Sequence, residues 1–319
     1  MDWSDSPEQA AFRQQVKDFI QKELPERYRS GDESEELSGG WQADRKSDNA
    51  EHRDTAIAWA DSLAKKGWIA PAWPKEYGGA GLTTIEQFIY NQEMAEVAAP
   101  MPGGMGVSML GPTLIVHGTD EQKAQHLSGI LSGDVQWAQG YSEPGSGSDL
   151  ASLQTRAIRD GDDFVINGQK IWTSGAHLAN MIFALVRTDP EAPKHRGITY
   201  LLFPMTTPGI SVRPLVQMSD ARGFNETFFE DVRVPVANRV GDENRGWYVG
   251  MTLLDYERSN ITGAVSVRRD IESLLDYANG EGKTRSRLKE FNSIRLDVAD
   301  RYIESEVMYN FSFRIISMQ

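Results

Sequence analysis

Apolar residues recur at intervals of three and four through the first part of the chain, the spacing that gathers them on one face of an α-helix. Phe12, Val16, Phe19, Ile20 and Leu24 form one such stripe, opened by Ser6-Pro7-Glu8-Gln9. There serine is placed to cap, proline suits the first helical turn, and glutamine is placed to bond back to the cap. Residues 30–49, rich in serine, glycine and charge, read as a surface loop. A second stripe through Ile57, Ala60, Leu63 and Ala64 stops near Gly67, where glycine supplies a left-handed cap. Thr83-Thr84-Ile85-Glu86 and Thr119-Asp120-Glu121-Gln122 repeat the capping pattern, the first ahead of Phe88 and Ile89, the second ahead of Leu127, Ile130 and Leu131.

From Val135 the pattern shortens into runs rich in β-branched and aromatic residues. These are 164–172, Met181–Arg187, Ile198–Pro204, 210–216 and 227–234, with Asp160-Gly161 and Asn167-Gly168 as hairpin signals. Their spacing predicts a compact barrel or sandwich. After Gly246 the helical period returns through Leu253, Leu254, Ile261, Val265 and Leu274, and again through Ile294, Val298 and Val307. The last pattern reaches Gln319 without a cap, glycine or proline stop, as an incomplete domain would. The expected fold is α+β and multidomain: a helical domain over 1–133, a β-domain over 134–243 and an incomplete helical domain over 244–319.

Composition narrows the function. Lysine and arginine number 33 against 46 aspartates and glutamates, a formal charge of -13, and the cations are not clustered, so nucleic acid is excluded as a partner. Cysteine is absent, which removes disulfides, thiolate metal sites and thiol nucleophiles and favours the cytoplasm. Met1-Asp2-Trp3-Ser4-Asp5 lacks the basic and apolar regions of a secretory signal, and apolar runs such as 182–186 are too short to span a bilayer. His52, His117, His126, His177 and His195 are scattered, so a catalytic metal has little support.

Three segments carry candidate chemistry. In Tyr141-Ser142-Glu143-Pro144-Gly145-Ser146-Gly147-Ser148-Asp149, glycines admit close approach to a ligand, and hydroxyl and N–H groups supply donors. A plain surface turn is an equal reading, while P-loop, Rossmann and nucleophile-elbow patterns do not match. In Lys170-Ile171-Trp172-Thr173-Ser174-Gly175 the indole offers a flat face beside two hydroxyls; a core tryptophan at a strand end is the commoner reading. In Leu253-Leu254-Asp255-Tyr256-Glu257-Arg258, steps of three or four from Leu254 pass through Glu257, Ile261 and Val265. Desolvation on that stripe would raise the pKa of Glu257 toward that of a general base, although a structural ion pair is as good a reading.

Together with Glu76-Tyr77-Gly78-Gly79-Ala80-Gly81, Gly118-Thr119-Asp120-Glu121-Gln122-Lys123, Asn167-Gly168-Gln169-Lys170-Ile171-Trp172 and Phe229-Glu230-Asp231-Val232-Arg233-Val234-Pro235, these segments resemble the acyl-CoA dehydrogenase family. The order of the motifs matches over essentially the whole chain. The resemblance implies FAD held by Gln139, Tyr141, Ser142, Gly147 and Ser148 of the loop and by Trp172, Thr173 and Ser174, with Ser174 donating to the flavin's reactive nitrogen. It implies α,β-dehydrogenation of an acyl-CoA to the 2-enoyl-CoA, with Glu257 as the catalytic base, an electron-transfer flavoprotein as acceptor and a homo- or hetero-oligomer. Relatives acting on branched or bulky acyl groups, steroid side chains included, fall within the same resemblance.

The chain departs from the pattern in places. Tyr141 stands where the loop usually carries a small aliphatic residue. No arginine and phenylalanine pair of the kind that reaches a partner's adenine is recognisable between Tyr277 and Asn292, and the glycine-rich segment of the final helices is absent. Two rival functions share the fold: a flavin oxidase or monooxygenase, and a non-catalytic subunit of a mixed oligomer.

Overall fold

Six helices occupy the N-terminal part of the computed structural model among its described residues, which are 4–29, 40–256, 261–279 and 291–318. They are α1 (Pro7–Glu23), α2 (Gly40–Arg45), α3 (Ala50–Ala64), α4 (Thr84–Glu96), α5 (Gly111–His117) and α6 (Asp120–Leu131). The capping boxes start α1, α4 and α6 as the sequence predicts: Ser6, Thr83 and Thr119 each accept from the amide three residues on, and each amide of the cap is bonded in return. Each such cap satisfies donors that the helix itself leaves open and contributes about 1 kcal/mol.

One correction concerns the stretch read as a surface loop: residues 40–45 are helical. Trp41 is buried there and donates its indole N–H to the Ala56 carbonyl, so a single large side chain anchors α2 against α3. Residues 30–39 lie outside the described residues.

Eight strands follow: β1 (Trp137–Gly140), β2 (Arg156–Asp160), β3 (Asp163–Lys170), β4 (Met181–Arg187), β5 (Ile198–Pro204), β6 (Ile210–Leu215), β7 (Phe224–Pro235) and β8 (Arg239–Val240). They pair as β6-β7-β3-β2-β4-β5-β8, with β1 parallel to β4. The link between β2 and β4 is the single register pair Arg156 with Arg187, so the sheet folds into two halves there. Asp160-Gly161 turns the chain from β2 to β3. Asn167-Gly168 does not turn it; the dipeptide lies inside β3, at a bulge against β7.

The C-terminal helices are α7 (Gly246–Tyr256), α8 (Ile261–Asn279) and α9 (Asn292–Ile316). Of the positions predicted to face a core, Ile261, Val265 and Val298 are buried, whereas Leu274 and Val307 are exposed. No described element covers those two, so helical spacing alone overstated the apolar contact.

The chain divides into two compact units. The first takes Met1–Gly31, Gly81–Pro100 and Arg258–Gln319, and so contains α1, α4, α8 and α9. Its core joins Phe88 and Ala95 to Ile261, Ala264, Val265 and Ile316, with the Phe88 and Phe313 rings edge to face at 4.8 Å. Arg13 of α1 ties the unit together by donating to Asp5 and to Gln92 and Glu93 of α4.

The second unit takes Asp32–Ala80 and Met101–Glu257. In it, β4 reads as an unbroken apolar run because both of its faces are covered. Phe183 and Leu185 join Leu114, Ile130, Trp137, Tyr200 and Val249 in a core between the strands and α5, α6 and α7. Ile182, Ala184 and Val186 point the other way and meet Phe164, Ile166, Phe229 and Val232 of the second half-sheet. The predicted barrel or sandwich is therefore two half-sheets packed face to face, with helices on one outer side. This arrangement brings the end of β1 and the end of β3 beside each other.

Candidate functional site

β1 ends at Gly140, and the serine-glycine segment begins. Gln139 is half-buried within the strand, opposite Phe183, with its side-chain amide 3.9 Å from the Met109 sulfur. The Tyr141 ring turns into the core, edge-on to Phe183 and Tyr200 at 6.0 and 6.3 Å, so only its backbone faces the loop. Glu143 and Ser146 exchange backbone hydrogen bonds across Pro144-Gly145, which makes a tight turn. Beyond it Gly147, Ser148 and Asp149 are exposed, with Asp149 held 2.6 Å from Lys194.

β3 delivers the second segment. The Ile171 amide donates to the Ser142 carbonyl at 2.9 Å, stitching the strand end to the loop. Trp172 follows with φ +60, a left-handed conformation that costs a non-glycine residue about 1–2 kcal/mol. Its indole is 60% exposed and touches Phe224 edge-on at 6.1 Å. Thr173 is fully buried; its amide donates to the Asn225 carbonyl and its own carbonyl accepts from the Asn225 side chain. The Thr173 hydroxyl has no hydrogen-bond partner, and neither has the Asn225 side-chain oxygen, among the described residues. Ser174 is half-buried beside them.

Between the two segments lies a buried ion pair. Lys170 is completely covered and donates to Glu143 at 2.9 Å and to the Tyr141 carbonyl at 3.0 Å. Glu143 also accepts from the amides of Gln154 and Thr155, at 2.6 and 2.8 Å. Burial pushes the Lys170 ammonium down to about 8, against the pull of Glu143. Burial pushes the Glu143 carboxyl up, but Lys170 and the hydrogen bonds around it outweigh that and hold it below the usual carboxylate range. Both groups are charged near neutral pH.

The structure thus bonds the segment that runs from Gln139 through Tyr141 and Ser142 to Gly147 and Ser148 onto the strand end that carries Trp172, Thr173 and Ser174, through links at Tyr141, Ser142 and Glu143. Glu257 lies outside the described residues, which end α7 at Tyr256. Sequence reasoning passed over Lys170, Glu143, Asn225 and Phe224 as site residues. Lys170 had a signal: it continues the buried alternation of Phe164 and Ile166 along β3, where a cation requires an anionic partner.

The donor set and the space suit FAD. The amides of Gly147 and Ser148 donate to no atom among the described residues, and a Cβ placed on Gly145 or Gly147 would meet nothing within 4 Å. Open glycine backbone with free donors suits phosphate oxygens, and an outward indole face with hydroxyls beside it suits a flat ring with polar edges. Among the described residues no group of three or more His, Asp or Glu could hold a metal ion, and no helix is long and apolar enough to cross a membrane.

Comparison with known proteins gives three successive matches to one family: the acyl-CoA dehydrogenase N-terminal domain over residues 6–134, the middle domain over 138–232 and the C-terminal domain over 244–319. The acyl-CoA dehydrogenase FadE26 of Mycobacterium tuberculosis is 40% identical over 261 residues, a match that covers 81% of this chain and 65% of that relative, just under two thirds of its length. The solved structure of the Tcur3481-Tcur3483 steroid ACAD has a TM-score of 0.80 at 34% identity and covers 99% of this chain and 77% of its own. The ChsE4-ChsE5 complex from Mycobacterium tuberculosis has a TM-score of 0.76, also at 34% identity, covering 100% of this chain and 78% of its own. With helical, β and helical matches in sequence order over nearly every residue, the chain belongs to the acyl-CoA dehydrogenase family.

Proposed function

We propose that this chain is an FAD-dependent acyl-CoA dehydrogenase that converts an acyl-CoA thioester to the 2-enoyl-CoA, with 1–133, 134–243 and 244–319 as its three domains. The observation that carries the reading is Trp172, held outward in a left-handed conformation beside a serine-glycine loop whose donors are open. Strain of this kind persists where the surroundings enforce it, and an exposed indole gains little for the fold itself.

In this reading Gly147 and Ser148 donate to the cofactor's phosphates, Trp172 offers its face to the ring, and Ser142 and Ser174 donate along the ring's polar edge, with Thr173 buried behind them. Gln139 borders the same space, and Tyr141 contributes through its backbone, since its side chain belongs to the core. When bound, FAD supplies the two-electron acceptor for the hydrogen that leaves the β-carbon with its bonding pair. Glu257 takes the α-proton, and the electrons left on the α-carbon close the carbon–carbon double bond. The protein's share is alignment and a base of suitable pKa.

The named relatives refine the substrate and the assembly. One solved relative is called a steroid ACAD, and two solved relatives each pair two different proteins. We infer a bulky, steroid-bearing acyl-CoA as the substrate class, a mixed oligomer as the working form and an electron-transfer flavoprotein as the acceptor. The test is the anaerobic visible spectrum of the purified chain, alone and with its co-expressed partner, before and after a panel of acyl-CoA thioesters. Bleaching of bound flavin by a steroid-bearing thioester is the expected result. Flavin that no thioester bleaches would shift the assignment to an oxidase or monooxygenase. Glu257→Gln should keep flavin but lose α-proton exchange on a bound acyl-CoA, and retained exchange would remove Glu257 as the base.

A further inference from the structure

The Lys170 and Glu143 pair is costly to bury and contributes little net stability, because the attraction between two buried charges roughly offsets their lost hydration. What it does supply is connection. Glu143 grips the return segment through the Gln154 and Thr155 amides, Lys170 grips the loop through Glu143 and the Tyr141 carbonyl, and the Ile171 amide adds a bond to Ser142. Three separate stretches of chain therefore meet at one ion pair. Trp172 lies two residues beyond Lys170, and Gly147 lies four residues beyond Glu143. Neither charged group is exposed enough to meet a ligand: Lys170 is fully buried and Glu143 is 8% exposed.

We infer that Lys170 and Glu143 are positioning residues, which hold the serine-glycine loop and the Trp172 strand end at a fixed separation before any ligand arrives. The inference rests on the reading of this site as a flavin cradle. A preset cradle binds more tightly because little ordering is left to be done on binding. The pair acts through the segments it joins and touches no reacting atom.

The test is the double variant Lys170→Met with Glu143→Gln in the full chain. It removes both charges together, which avoids stranding one of them, and keeps an acceptor for the backbone amides. The thermal midpoint should stay within about 3 °C of wild type. The FAD dissociation constant should rise at least about tenfold, and the FAD that still binds should fluoresce more strongly, as Trp172 no longer lies squarely against it. In the cofactor-free chain, hydrogen exchange should quicken at the bonded amides of the two segments, those of Ser146, Ile171 and Thr173. FAD binding with the wild-type constant and fluorescence, together with unchanged exchange, overturns the inference. Should wild type take up no FAD at all, the functional reading fails, and the exchange measurement alone decides whether the pair holds the two segments. If the double variant does not fold, the single Glu143→Asp variant, which keeps both charges but draws the carboxylate back from Lys170 and from the Gln154 and Thr155 amides, is put through the same readings.

Discussion

The glycines of residues 76–81 and those of residues 142–149 stand in opposite surroundings. A Cβ on Gly79 would collide with the Trp73 carbonyl and side chain, and one on Gly78 would come within 2.6 Å of the Leu131 side chain. Gly111 meets the same Trp73 indole from elsewhere in the chain, and that indole is buried and bonded to the Val107 carbonyl. Gly145 and Gly147, in contrast, face open space, and neither has a left-handed backbone. The first set is glycine because the protein's own packing leaves no room. The second set meets no such packing within the chain, and under the proposed function the room it leaves is the cofactor's. The left-handed residue on the strand end bonded to that loop is Trp172, where glycine would be the unstrained choice. One region is arranged for its own stability, and the other spends stability on a surface.

The largest effect falls at Gly79. Gly79→Ala forces backbone apart around Trp73 and should destabilise the fold by about 3 kcal/mol or more, with no ligand present. Thermal unfolding of the cofactor-free variant checks this; a midpoint equal to wild type would mean that the Trp73 region yields and that the two glycine sets do not differ as argued.

Trp172→Gly should separate stability from binding. Glycine releases strain of about 1–2 kcal/mol at φ +60, but it gives up the edge contact with Phe224 and adds freedom to the unfolded chain, each worth about 1 kcal/mol. The expected stability is wild type to within about 1 kcal/mol. FAD affinity should fall about thirtyfold, the ~2 kcal/mol typical of an aromatic face stacked on a planar ring. A loss of stability larger than the loss of affinity would make Trp172 a part of the fold's framework instead.

What the sequence revealed of this contrast follows how local each feature is. The capping boxes at Ser6, Thr83 and Thr119 are decided within four residues, and the helices start where those residues say. β4 and β5 are continuous apolar runs whose length alone marks them as strands. α2 was missed because its signal is one tryptophan in a polar stretch, and its stability comes from Ala56 on another helix. The Asn167-Gly168 bulge mimics a hairpin turn, and only pairing with β7 tells them apart. The site showed the same limit. Its segments were legible as motifs, while the inward turn of Tyr141 and the Lys170 and Glu143 pair depend on residues far apart in sequence. The two glycine sets were indistinguishable by composition, since what separates them is the distance to Trp73 and to nothing.

The same substitution made in the two glycine sets should change stability with opposite signs. Gly147→Ala places a methyl group in open space on a backbone that alanine adopts without strain. Fewer unfolded conformations then remain available to the chain, so stability should rise by about 0.5 kcal/mol, where Gly79→Ala lowers it. That methyl group stands in the room a cofactor would occupy, and FAD affinity should fall about tenfold, or ~1.4 kcal/mol. Urea unfolding of the cofactor-free protein gives the first quantity, and titration of flavin fluorescence gives the second. If Gly147→Ala bound FAD as wild type does, the open space would be incidental and the loop would be a surface turn. If instead it lost stability, the fold itself would need a glycine at 147, and the two sets would be of the same kind.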